Sequence, residues 1–349
     1  MTDAVISATS VLCAAGFGAA QVWATTRSRI SRISNSSVMD GNRELIPMGL
    51  VPEEALEPDD ADLDALNWPA RARRMLRLAA PPLRELASAV GDSPVVLYLG
   101  LPELMADESP WLDEFSEQLC ASAGLKFDEA ASQTFPLGRA AALVALESAL
   151  QAMSADSSRP ILVGAVDTFL DLRLLATLGA EGRVHGPRAM DGFIPGEGAA
   201  FLWIEGGREP ASGTPVIHGA ASTTDPGHRY GTEPARGEGL AQALQLLRDR
   251  LSSPVGPIAT TFAGLNGENF DAKLWGVAQL RHSDLFSPSM ALAHPADCFG
   301  DTGAATGAIL TAIAAAALAA GHRQGPALIW AASDLRARGC TLVDTPANR

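Results

Sequence analysis

Cysteine is scarce in this 349-residue chain: its four copies, Cys13, Cys120, Cys298 and Cys340, stand far apart with no CxxC pair. Neither a disulfide framework nor a zinc site is expected from such spacing, and a reducing, cytoplasmic setting fits it. Positive charge is short as well, with 26 Lys and Arg against 40 Asp and Glu for a net charge of −14. Nucleic acid and anionic membranes select basic surfaces, so neither is expected as a partner. The opening "MTDAVISATSVLCAAGFGAA" has no basic n-region and carries Asp3 where a signal peptide has Lys or Arg. The apolar run "GAATGAILTAIAAAALAAG" (303–321) approaches spanning length. It is built of Ala and Gly, which gain little on transfer to lipid, so it reads as a buried helix. "GFGAAQ" is too short and irregular for a dinucleotide fingerprint, and no cofactor or metal is expected.

What is present is an α/β composition, 47% hydrophobic and 19% charged. Apolar runs bounded by turn residues predict strands at Val5–Leu12, Pro94–Leu101, Ile161–Val166, Ala199–Ile204, Pro215–Ala220, Ile258–Phe262, Ala327–Ala332 and Cys340–Val343. Helical patterns lie at Gly18–Arg29, Ala70–Val90, Trp111–Ala123, Arg139–Met153, Gly239–Leu251, Phe270–Arg281 and Thr302–Ala320. Strand and helix alternate, which argues for a layered α/β fold. The turn-rich "GGREPASGTP" (206–215) divides the chain into halves, 1–205 and 206–349. Each half holds one long Ala-rich helix that follows a Gly-containing turn and is apolar nearly all round, as a helix inside a core must be. The acidic stretch "EEALEPDDADLD" (53–64) reads as a solvated loop, and Arg71, Arg74 and Arg77 as a solvated helix face paired with those preceding acids, or as a docking patch for an acidic carrier protein.

The segment "VGAVDTFLDLRLLATLGAEGRVHGPRAMDGFIPGEGAAFLWIE" (163–205) resembles the β-ketoacyl-acyl-carrier-protein synthase family. There a strand ending Gly-Gly-x-Asp/Glu leads through a variable loop to Arg-Asp-Gly-Phe-x-x-Gly-Glu-Gly-Ala. Gly164, Asp167, Pro187, Asp191, Gly192, Phe193, Gly196, Glu197, Gly198 and Ala199 match in order. "CFGDTGAATGAILTAIAAAAL" is similar to the family's Gly-His-x-x-Gly-Ala-Ala-Gly segment at the start of a helix. The resemblance implies a thiolase-like fold: a five-layer αβαβα sandwich of two similar halves, usually dimeric, with one buried helix per half near the active site.

The chemistry of that family does not carry over. Decarboxylative condensation needs a nucleophile, imidazole donors and backbone N–H groups for an oxyanion. Aligning "LVAL" (143–146) on the family pattern sets Arg139 at the nucleophilic Cys, with Gly138 or Ala140 there after a one-residue slip. Asn266 takes the first His, Asp301 the second and Ala296 the Lys, while "AASDLRARGCTLV" (331–343), with Gly339 as its one glycine, stands where the Gly-Phe-Gly-Gly loop is expected. Asn cannot shuttle a proton, and a carboxylate repels an enolate. Because both positions face one chamber in the family, Arg139 and Asp301 are expected to form a buried ion pair. Cys298 with His294 is the alternative catalytic couple. His218 and His228 read as surface residues, and Asp191 and Glu197 as structural. The leading expectation is therefore a ketosynthase-like protein without condensing activity, acting as a homodimer or as the chain-length-factor-like partner of a ketosynthase in fatty acid or polyketide type biosynthesis, with acyl carrier protein as a further partner. The alternatives are an acyltransferase or 3-oxoacyl synthase using non-standard residues, and a structural component of a larger assembly.

Overall fold

A computed structural model describes residues 3–58, 66–103, 111–251 and 255–346. In chain order the main elements are β1 (Ala4–Cys13), β2 (Gly16–Phe17), α1 (Ala19–Arg27), β3 (Ser34–Met39), β4 (Leu45–Met48), α2 (Ala70–Val90), β5 (Leu97–Leu101), α3 (Leu112–Ser122), β6 (Gln133–Pro136), α4 (Ala141–Ala155), β7 (Ile161–Thr168), α5 (Leu172–Ala180) and β8 (Glu197–Gly206). They continue with β9 (Val216–Thr224), α6 (Glu238–Arg250), β10 (Ile258–Ala263), α7 (Asn269–Arg281), β11 (Phe286–Ala293), α8 (Thr306–Ala319), β12 (Ala327–Ala332) and β13 (Ala337–Asp344).

Ten strands follow one another in the order β11-β10-β12-β13-β9-β1-β8-β7-β5-β6. Outward from the central β1–β9 contact, each run of five has the same order by rank in its half: first, fifth, fourth, second, third. The pairing sense repeats too. β5 is parallel to β6 and β7, as β10 is to β11 and β12, and the remaining pairs are antiparallel. Parallel neighbours need a crossover, and the helical segments between them supply it.

The core explains the layers. β7 is buried along its whole length, as expected of a strand covered on both faces. Leu83 and Phe115 of α2 and α3 pack on Leu97 and Phe201, and Leu240 and Leu274 of α6 and α7 pack with Trp330 and Leu342. Leu146 of α4 and Ile309 and Ile313 of α8 fill the space between Val163 and Leu202 on one side and Ile217 and Ile329 on the other. Both central helices touch strands of both halves, so the sequence of layers is αβαβα.

Several elements escaped the periodicity reading. β6 and β11 are edge strands, each with a proline and half-exposed residues, and lack a buried run. The hairpin β3–β4 is largely polar. Helix α5 did carry a signal, since Asp171 caps it by accepting the Leu174 N–H at 2.8 Å.

Candidate functional site

The turn between β6 and α4 begins at Gly138, whose φ of +67° is left-handed. A β-carbon there would meet the Glu103 side chain at 3.0 Å. One 3-10 turn, Gly138–Ala140, then leads into the helix. The second half repeats the device, with Gly303 at φ +53° opening the turn Gly303–Ala305 before α8.

Arg139 points inward from the first turn and is 4% exposed. Its Nε–H donates to Asp301 Oδ2 at 2.7 Å. Nη2 lies 2.6 Å from the same oxygen as an ionic contact outside hydrogen-bonding angle. Nη1 stands 3.0 Å from Asp334 Oδ1, and the guanidinium faces the Phe193 ring at 5.3 Å from its centroid. Asn266 donates its Nδ2–H to Asp301 Oδ2 at 2.8 Å, and the Gly303 N–H binds Oδ1 at 2.8 Å. The fold thus gathers Arg139, Asn266 and Asp301 at one point between the ends of α4 and α8.

The cluster extends further. Arg183 forks onto Glu268 with two bonds of 2.9 Å and onto Asp334 with two more of 2.9 Å. Arg229 reaches Glu268 at 2.9 Å and Asp334 at 3.1 Å. Three guanidiniums therefore interleave with three carboxylates. Arg139 and Arg183 belong to the chain before β9 and the others to the chain after it, so the network joins the two repeats. Burial works to raise the Asp334 carboxyl, but Arg139, Arg183 and Arg229 outweigh it and hold the group below its ordinary range. Asp271 is pushed up to about 7 by burial, which outweighs the pull of Arg139. Glu103 also rises to about 7, by burial and then by the charge of Asp334. Beside Asn266, Asp301 and Thr302 remains a cavity of about 10 Å³, room for roughly one water.

The loop after β12 differs from an oxyanion loop in a way the sequence reading missed. It delivers Asp334 to the cluster, and the fully buried Arg338 gathers the carbonyls of Ser333, Leu335 and Ala337 at 2.7–2.9 Å. Ser333 Oγ accepts the Ala140 N–H at 2.9 Å, so the backbone donor next to Arg139 is already occupied. Gly339 lies within β13, paired with Ser222 and Ala331.

The alternative couple does not meet. Cys298 Sγ contacts the Thr26 carbonyl at 3.9 Å, and the thiol is pushed up to about 11 by burial and by the charge of Asp297. His294 is half exposed and lies 3.7 Å from Asp297, and among the described residues no hydrogen bond joins it to Cys298. Ala296 sits in the short helical turn Ala296–Phe299. His218 pairs with Asp3 at 3.0 Å. The expectation of a surface position is corrected for His228, which is half-buried with Nδ1 enclosed and unpartnered. Asp191 is exposed and accepts from Asn269 at 3.2 Å. Among the described residues no group of three His, Cys, Asp or Glu side chains is arranged to hold a metal ion.

The Arg71 face does pair with the preceding acids, through Glu53, but it is not solvated at Arg71 and Arg74. Arg71 binds Asp167 at 2.8 Å, and Arg74 forks onto the fully buried Glu197 at 2.6 and 2.7 Å. Arg77 meets Glu53 at 2.9 Å. The carboxylates left buried at the ends of β7 and β8 need cations, and the inward face of α2 supplies them. Asp167 also accepts the Ala304 N–H at 2.9 Å, tying α2 to the start of α8. Glu53 and Glu57 of the acidic stretch pair with Arg74, Arg77 and Arg84, while its residues 59–64 lie outside the described residues.

No family model matches this sequence, and no curated protein resembles it in sequence. Solved structures do resemble it in fold. A ketosynthase from module 6 of the bacillaene synthase of Bacillus subtilis 168 superposes with a TM-score of 0.78 at 13% identity, over 99% of this chain and 72% of that one. A chain of the ishigamide ketosynthase/chain length factor gives 0.72 at 18% identity, over 99% of both chains. A chain from the complex of a ketosynthase with its chain length factor from Xenorhabdus doucetiae gives 0.75 at 14% identity, over 99% and 98%. The chain has the thiolase-like fold of the ketosynthases. Among the described residues no helix is long and apolar enough to cross a membrane.

Proposed function

We propose that this protein is a ketosynthase-like subunit without condensing activity, and that it serves, like a chain length factor, as the partner of an active ketosynthase in fatty acid or polyketide type biosynthesis. The observation that carries the reading is Arg139. It stands at the mouth of α4, where the resemblance expects the nucleophile, and its ion pair with Asp301 leaves a cavity of only about 10 Å³. A guanidinium locked between two carboxylates is neither a nucleophile nor a base. At this point an acyl group has no thiol to accept it and no imidazole to steady an enolate. What such a chain retains is its fold and surface. Two of the similar folds come from assemblies named as a ketosynthase with a chain length factor, which supports the partner role; a self-associating dimer and contact with an acyl carrier protein belong to the same reading.

The test is intact-mass measurement after incubation with acyl-carrier-protein and acyl-coenzyme A thioesters, followed by co-expression with a candidate ketosynthase. No mass increase together with a stable complex is expected. A stoichiometric acyl adduct on any cysteine would overturn the proposal. The reading that uses Cys298 is disfavoured because its thiol is buried and pushed up to about 11.

A further inference from the structure

We propose that the cleft between the end of α1, the end of β11 and the turn after α8 binds a small phosphate-bearing anion of about diphosphate size. The cleft, with a volume of about 310 Å³, is lined by Arg27, Arg29, Arg323, His294 and a single carboxylate, Asp297. In a chain of net charge −14, three guanidiniums around one cavity are a local reversal of sign. The arginines of the central cluster all have carboxylate partners. Among the described residues no carboxylate lies within ion-pair distance of Arg27, Arg29 or Arg323, and Asp297 is turned towards His294 at 3.7 Å.

Arg323 gives the site a fixed element. Its guanidinium lies over the Trp23 ring at 5.2 Å from the centroid. Trp23 is itself held, donating Nε1–H to His322 Nδ1 at 3.3 Å and packing edge-on against Phe262. The Arg323 Nε is buried without a hydrogen-bond acceptor. The cleft is therefore met by the outer nitrogens of the guanidinium, with its inner edge packed against the protein. Planar guanidinium forks match the several oxygens of a phosphate better than one carboxylate. The volume exceeds that of a lone phosphate and falls at the lower end of small-molecule sites, about 300 Å³, which selects a diphosphate or a compact phosphate ester. Trp23 is already covered by Arg323, so the phosphates, and not a stacked ring, provide recognition. This site lies apart from the Arg139 cluster and does not depend on the function proposed above.

The experiment is isothermal titration calorimetry of the full chain at low salt with pyrophosphate, inorganic phosphate and adenosine diphosphate. Pyrophosphate is expected to saturate one site, with affinity falling at least about tenfold in Arg29→Gln and in Arg323→Gln. Arg208→Gln, at an exposed pair with Glu205, is expected to behave as wild type. Arg29 is exposed, so its variant keeps the test valid even if the Trp23 contact matters for folding. Adenosine diphosphate binding more tightly than pyrophosphate would identify an esterified ligand, and equal affinities would identify the phosphates alone; both support the site. Absence of saturable heat with pyrophosphate, affinity unchanged in both variants, or equal displacement by sulfate would overturn it.

Discussion

Removing the Asp301 carboxylate tests the ion pair most directly. In Asp301→Ala the guanidinium of Arg139, 4% exposed, keeps only the Asp334 oxygen at 3.0 Å. The Gly303 N–H loses its acceptor as well, and Asn266 Nδ2 keeps only Glu268 Oε2 at 3.1 Å. Breaking a buried pair from one side costs about 3–5 kcal/mol. Unfolding entropy of about 2.1 cal/mol/K per residue gives roughly 0.7 kcal/mol per kelvin for 349 residues. The expected loss in Tm is thus about 4–7 °C, read by circular dichroism. The double variant Arg139→Met/Asp301→Leu removes both charges and fills the space with apolar atoms, so it is expected to recover much of that loss. A melting temperature for Asp301→Ala within about 1 °C of wild type would refute the reasoning, because it would mean the guanidinium finds water or another anion at no cost.

Gly303→Ala is expected to destabilise by several kcal/mol, since its β-carbon would fall 2.0 Å from Asp167 Oδ2 at a left-handed φ of +53°; a urea melt measures it, and a loss below about 1 kcal/mol would contradict the packing. Asp271 has a folded pKa raised to about 7, above its unfolded value. Its contribution to stability is therefore complete at acid pH and lost as pH rises through about 7, so Asp271→Asn is expected to flatten that slope and to stabilise the protein relative to wild type above pH 7. Stability–pH curves of the two proteins that run parallel would count against it. All four cysteines are buried, and Cys298 is raised to about 11, so iodoacetamide at pH 8 is expected to label the native protein negligibly and the urea-unfolded chain fully. Arg139→Cys is expected to form no acyl adduct, because Asn266 and Asp301 still stand where the resemblance expects imidazoles.

Much of the fold was written in local pattern. Buried strands such as Ile161–Thr168 announce themselves as unbroken apolar runs, and the helices Ala141–Ala155 and Thr306–Ala319 as Ala-rich stretches without a polar face. The edge strands Gln133–Pro136 and Phe286–Ala293 have no such signature, because a strand covered on one side need not be apolar. For the candidate site, motif spacing brought Arg139, Asn266 and Asp301 into view. Arg183, Arg229, Glu268 and Asp334 stayed out of view, since each is an ordinary charge between or at the ends of regular elements until the chain folds.

By itself the sequence determined the residue types at the mouth of each central helix and the alternation that builds the layers, since both follow from short-range spacing. Tertiary structure decided which charges meet. Arg71, Arg74 and Arg77 look like a solvent-facing stripe, yet Asp167 and Glu197, more than ninety residues away in the chain, draw Arg71 and Arg74 inward. Burial makes an unpaired charge costly, so long-range partners, and not helical periodicity, set where those side chains point.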